Sequence, residues 1–220
     1  MCRMLAIKSE LPVNSDMYFL ALKRMAEKGM KSPHGDGFGF LYSTESEYGV
    51  FKSLDQIWNY AHPFMEMKLG IFHARKASSG YTANLHHVHP FITEVQGKTW
   101  VFAHNGTIYD VNIDGVIDSQ YYFSKIQEKL LKWPPEDALL ATAKEIEKEK
   151  KFTSLTCILS DLEDIWAMKY YSDPGDNYHN LYYMEHNGVK VLASEPITQY
   201  IDVEGIVDFR ELGNCEIIKL

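Results

Sequence analysis

The sequence predicts an α+β fold in which helices cover β-sheets, and three observations carry that expectation. Apolar runs of strand length recur towards both ends of the chain, two helical patterns sit side by side in its middle, and no Gly/Ser/Pro-rich linker divides its 220 residues. A chain of that length suits one substantial domain over residues 1–220. Hydrophobic residues make up 45% and charged residues 24%, enough apolar material for a core without disulfide staples.

Taken in order, Cys2-Arg-Met-Leu-Ala-Ile7 reads as an opening strand, and Pro12-Val-Asn-Ser15 carries turn and N-cap residues. Met17, Leu20, Ala21 and Met25 then share a helical face until Gly29 stops the helix. Gly35-Asp-Gly-Phe-Gly-Phe-Leu-Tyr42 is a glycine-rich approach to a strand, and Leu69–Ala74 and Thr99–Ala103 are short apolar runs typical of buried strands. Tyr122, Ile126, Leu130 and Leu131 set a helix over Asp118–Lys132. Pro134-Pro-Glu-Asp137 starts a second over Ala138–Lys150, with a solvated Glu/Lys end. Strands return at Leu155–Leu159, Ile165–Tyr170, Leu181–Met184, Val189–Ala193 and Cys215–Leu220.

Charge and composition exclude several classes. A formal net charge of −8 offers no electrostatic basis for binding nucleic acid or an anionic membrane. The first apolar run stops at Lys8, too short for a signal-peptide core, and no stretch has bilayer-spanning length. Cys2, Cys157 and Cys215 cannot all pair within one chain and match no zinc or iron–sulfur spacing, so a reducing cytoplasm is the expected compartment. Cys157 and Cys215 read as inert core.

The chemistry-bearing candidates each admit a plain reading. Cys2 is a small hydrophobe, or, once Met1 is removed, a thiol beside its own α-amine. That amine has a reference pKa of about 7.7–8.0 and can take the thiol proton near neutrality. In His73-Ala-Arg75-Lys-Ala-Ser78, Arg75 stands where a strand runs into a polar loop and offers either a surface ion pair or a forked donor for one carboxylate. His104-Asn105-Gly106-Thr107 reads as a tight turn with positive φ, or as two donors, the Asn105 amide and the Gly106 N–H, for a tetrahedral oxyanion. Asp118, opening a helix, is an N-cap or a carboxylate for a substrate ammonium.

In this order, Cys2, His73-x-Arg75-x-x-Ser78, His104-Asn105-Gly106 and Asp118-Ser119 at a helix start resemble the class II glutamine amidotransferases, which are N-terminal-nucleophile hydrolases. The likeness is to their compact stand-alone branch. Gly35-Asp-Gly-Phe-Gly39, Asn84-Leu-His-His-Val-His-Pro-Phe91 and Ala193-Ser-Glu-Pro196 extend it to about residue 196. The resemblance implies a four-layer αββα sandwich of mainly antiparallel sheets. It implies that Cys2 attacks the glutamine γ-amide to form a γ-glutamyl thioester, with Asn105 and Gly106 as the oxyanion hole. Arg75 would hold the α-carboxylate and Asp118 the α-ammonium, with Ser78 lining the site, and the mature chain would be 2–220. Many relatives carry Thr in place of Ser78 and Glu in place of Gln120. The ammonia acceptor, or a synthase subunit, is expected in trans.

No cofactor and no metal is expected. His86, His87 and His89 lie in a polar loop without a Cys or carboxylate at ligand spacing. No helical pattern follows Gly35-x-Gly37-x-Gly39, so these glycines are expected to let backbone pass close to the pocket rather than bind a dinucleotide. Trp166, Tyr170, Tyr171, Tyr178, Tyr182 and Tyr183 read as half-buried late strands. Two alternatives stand beside the glutaminase reading. One is hydrolysis of another γ-glutamyl amide, such as a γ-glutamyl peptide, since Arg75 and Asp118 would grip only the shared head. The other is a catalytically silent glutamine-binding regulatory subunit, which retention of Met1 would favour.

Overall fold

The alternation of apolar residues along the first strand sets the architecture. In β1 (Arg3–Asn14), Met4 and Ala6 enter one buried cluster while Leu5 and Ile7 enter another, so the strand is covered on both faces. The computed structural model describes residues 2–61, 65–77 and 84–220; Met1 and Ser78 lie outside the described residues.

After α1 (Asp16–Lys28) come β2 (Phe38–Ser43), β3 (Tyr48–Ser53), β4 (Glu66–Ala74), β5 (Phe91–Val95) and β6 (Lys98–Asn105). The helices α2 (Asp118–Leu130) and α3 (Pro135–Glu149) precede β7 (Thr156–Ser160), β8 (Ile165–Lys169), β9 (Tyr182–His186), β10 (Val189–Ala193), β11 (Ile206–Glu211) and β12 (Glu216–Lys219). A seven-stranded sheet runs β11-β9-β10-β1-β4-β2-β3, and a five-stranded sheet runs β12-β8-β7-β6-β5. Every strand pairing in both is antiparallel.

Three apolar clusters define four layers. Met4, Ala6, Ile71, Val101, Ala103 and Ile158 fill the space between the sheets. Leu5, Ile7 and Phe72 pack on α1, and Phe102, Cys157 and Leu159 pack on α2 and α3. The expected αββα sandwich is thus present.

Local departures have physical reasons. Pro12 stands inside β1, where the ladder to β4 shifts register between Lys8 and Val13; a bulge tolerates a residue that cannot donate. The buried face of α1 turns on Tyr18, Phe19, Leu22 and Met25, with Leu20 39% exposed. Phe19 decides that rotation, since its ring meets Phe38, Phe40, Tyr60 and Phe72 at 6.0–6.3 Å. Helix α2 stops at Leu130, short of Lys132, and α3 starts at Pro135, the favoured first helical place for proline. Strands β3, β5 and β11 had no expectation in the sequence reading. All three end a sheet, and β11 is exposed at every residue, so none shows a buried apolar run.

Candidate active site

Cys2 immediately precedes the strand at the centre of the larger sheet and is 7% exposed. Its backbone N–H donates to Asn105 Oδ1 at 2.7 Å, and its carbonyl accepts from the Tyr178 hydroxyl at 3.3 Å. The next residue locks this placement. The fully buried Arg3 guanidinium pairs with Glu195 at 2.5 Å, donates to the Met30 carbonyl at 2.6 Å and stacks on Tyr178 at 4.2 Å. Met4 N–H then donates to Ser194 Oγ at 2.9 Å.

Burial alone would push the Cys2 thiol up. The positive chain terminus, the His73 ring and a backbone contact at Lys76 outweigh it and bring the thiol down to about 6. The thiol also donates to the Lys76 carbonyl at 3.9 Å. His73 pairs with Met4 in the β1–β4 ladder, and its Nε2 lies 3.4 Å from the His104 carbonyl. A carbonyl can only accept, so Nε2 carries a proton, which fixes how the ring stands beside the thiol.

Asn105 ends β6 on the facing sheet. Because Cys2 N–H is a donor, the atom it meets must be the amide oxygen. The Nδ2 of Asn105 is then buried with no partner among the described residues: two N–H donors held out of water and bonded to nothing. Gly106 is not a turn glycine, for it is absent from the positive-φ positions and the chain runs on to a bridge at Ile108. A close approach requires it instead, since an added Cβ would stand 1.9 Å from the Ser154 carbonyl oxygen. Beside it, His104 Nε2 donates to that same carbonyl at 3.0 Å, so its Nδ1 accepts from Ser119 Oγ at 2.9 Å. Burial holds His104 down to about 4, neutral at physiological pH.

Arg75 is 5% exposed, so it is not the surface ion pair of the plain reading. One NH donates to the Asp36 carbonyl at 3.4 Å, and no carboxylate pairs with it among the described residues. Asp118 is the first residue of α2 rather than its cap. Oδ1 accepts from Ser119 N–H and Oδ2 from Ile108 N–H, each at 2.9 Å. Each oxygen keeps a second lone-pair direction. Cys2, Arg75, Gly106 and Asp118 line one cavity together with His89, His104 and Ser119. The structure therefore brings Cys2, Asn105, Gly106, Arg75 and Asp118 together.

Gly39 bears out the expectation of backbone passing close: a Cβ there would meet the His89 carbonyl oxygen at 2.2 Å. Cys157 is buried and its thiol is pushed up to about 12, as an inert core thiol should be. Cys215 corrects the reading, for it is exposed at φ 66° in the turn ahead of β12, which begins only at Glu216. Arg3, His73 and Tyr178 belong to the site but had no assigned role. His73 had a local signal, as a motif member; Tyr178 reaches Cys2 across 176 positions.

Comparison with known proteins agrees with this geometry. The family model for glutamine amidotransferases class-II matches residues 1–174. A Haemophilus influenzae protein named provisionally as a glutamine amidotransferase is 32% identical over 114 residues, covering 49% of this chain and 38% of that protein. An uncharacterised protein of Methanocaldococcus jannaschii is 28% identical over 191 residues, 78% of this chain and 51% of its own. The chain thus spans about half or less of these curated relatives. Among solved structures, the glutamine phosphoribosylpyrophosphate amidotransferase of B. subtilis aligns with a TM-score of 0.71 at 15% identity, over 99% of this chain and 47% of that one. A predicted glutamine amidotransferase from Pseudomonas aeruginosa aligns with a TM-score of 0.60 at 18% identity, over 99% and 96%. These two share the fold.

Proposed function

The chain belongs to the class II glutamine amidotransferases, and from that premise we propose that it hydrolyses the γ-amide of glutamine through a thioester on Cys2, its mature N-terminal residue. The observation that carries this is the pairing of Cys2 with Asn105: one side-chain amide holds the Cys2 nitrogen through its oxygen and leaves two buried N–H donors without a partner among the described residues.

With Met1 removed, the Cys2 amine takes the thiol proton and the sulfur attacks the γ-carbonyl carbon. Asn105 Nδ2 and the Gly106 N–H donate to the oxygen as it becomes an anion, in a buried place where such donors act strongly. The amine returns its proton to the leaving nitrogen, ammonia departs, and a γ-glutamyl thioester remains. Water then adds to that carbonyl, the sulfur leaves and regains a proton, and glutamate is released. The unpaired Arg75 fork suits the α-carboxylate and Asp118 the α-ammonium, so the zwitterionic head meets opposite charge at both ends. Ser78 is proposed to line the same site.

Residues 1–220 are proposed to act as one catalytic domain, passing ammonia to an acceptor or synthase subunit in trans. No described helix is long and apolar enough to cross a membrane, and the three unpaired cysteines suit a reducing cytoplasm.

The test combines mass and activity. Intact mass of the protein from its natural host should lack Met1, and Cys2→Ala should lose both glutamine hydrolysis and labelling by a glutamine-analogue electrophile. Met1 retained on the active protein, or full activity in Cys2→Ala, overturns the mechanism, whereas a protein that keeps Met1 and hydrolyses no glutamine fits the silent-subunit alternative.

A further inference from the structure

A second cavity, of about 290 Å³, lies beside the first, with Lys52, His86, Phe91, Thr93, Gln120 and Gln127 in its wall. The two are neighbours through two short segments. His89 lines the catalytic cavity and Phe91, two residues on, lines the second; Ser119 lines the first and Gln120 the second.

Lys52 is built into this place. It pairs with Gly39 in the β2–β3 ladder, and a Cβ on Gly39 would meet Lys52 Cγ at 3.2 Å as well as the His89 carbonyl at 2.2 Å. The missing side chain lets the lysine stem lie along the sheet, and Nζ ends 5.2 Å from the centre of the Phe91 ring. No hydrogen bond or ion pair joins Lys52 to any described residue, and the residues outside the described ones include no Asp or Glu. Burial pushes its ammonium down, with no carboxylate acting against that. A partly desolvated cation facing neutral donors lacks its counter-charge.

We propose that this second cavity is a carboxylate subsite, with Lys52 as its cation and the Gln127 amide and Thr93 hydroxyl as neutral donors. A single ammonium among neutral groups matches a monoanion, whereas a phosphate dianion recruits more positive charge. The subsite rests on the reading of the neighbouring cavity as the glutamine-head site. Its carboxylate comes from one of two sources: the far end of a γ-glutamyl conjugate, or a separate small carboxylic acid bound beside the amidase centre.

Lys52→Gln and Lys52→Arg test it, with glutamine, γ-glutamylmethylamide and γ-glutamylglycine as substrates and N-acetylglycine as a binding probe followed by NMR titration. A conjugate source is supported if Lys52→Gln lowers kcat/KM for γ-glutamylglycine by about tenfold or more, the scale of a lost charge-assisted hydrogen bond. Glutamine and the methylamide should stay within about twofold, and Lys52→Arg should largely restore the loss. A separate acid is supported if all three amides are indifferent to Lys52→Gln but saturable N-acetylglycine binding disappears. The subsite is overturned if the variant changes neither. Wild-type protein that hydrolyses none of the amides overturns the proposed function instead, and the N-acetylglycine titration still decides the subsite.

Discussion

The nitrogen of Cys2 and the side-chain oxygen of Asn105, 103 positions apart, meet at 2.7 Å and join the two sheets at the mouth of the cavity. The contact is asymmetric, because it consumes the amide oxygen and leaves the amide nitrogen without a partner among the described residues.

Asn105→Asp separates those two halves. An aspartate still accepts from the Cys2 nitrogen but offers no donor to the oxyanion. The fold should persist, with little change in the thermal melt, while kcat for glutamine falls by about 10²–10³. A variant within about twofold of wild type would remove Asn105 from the oxyanion role.

Gly106→Ala should fail through packing. Its methyl would stand 1.9 Å from a backbone oxygen, which has no rotamer with which to yield. Overpacking of this kind costs about 1–3 kcal/mol, so the urea midpoint should drop at an unchanged slope and activity should fall with the displaced strand end. Near-wild-type stability would mean that the Ser154 backbone gives way freely.

The thiol should titrate early. Iodoacetamide labelling of Cys2 should rise with pH around a midpoint near 6, well below an ordinary thiol at about 8.5. His73→Phe removes one of the groups opposing burial, so its midpoint should move upward while the fold is kept. An unmoved midpoint would leave His73 a packing residue.

Acid should destabilise the fold through histidines buried in the neutral form. His34, His89 and His104 are all lowered, first by burial, with His34 at about 3 and His104 at about 4. In the unfolded chain each returns to about 6.5 and binds a proton the native state refuses. Their contribution is present above about 6.5 and is lost as pH falls towards 4. Urea midpoints at pH 7, 6 and 5 should therefore decrease in that order.

Arg3→Met strips a buried carboxylate of its partner, since Arg3 is fully buried and the Glu195 side chain is 11% exposed. A loss of about 3–5 kcal/mol is expected, and Arg3→Met/Glu195→Gln should recover part of it in denaturant titration.

What the sequence made legible follows from how local each signal is. The α+β class was readable because β1, β4 and β6 bury both faces and so appear as apolar runs, while α2 and α3 keep a clear 3.6-residue period. The edge strands β3 and β11 were not, since pairing rather than side-chain burial holds them. The site residues stood out only jointly: Asn105-Gly106 has the look of any turn, and its glycine turns out to be needed for the Ser154 carbonyl in the segment just ahead of β7. Arg3, Tyr178 and Lys52 owe their places to partners distant in the chain, which no local pattern encodes.

The strand that begins directly after Cys2 has three strands of its sheet on one side and three on the other. A group so placed fluctuates only when the sheet itself opens, so its local unfolding free energy approaches that of the whole molecule. Amide exchange at Met4 and Leu5 should be among the slowest in the protein. Any ligand or subunit that controls this chain then has little leverage on the sulfur, and must act on what approaches it.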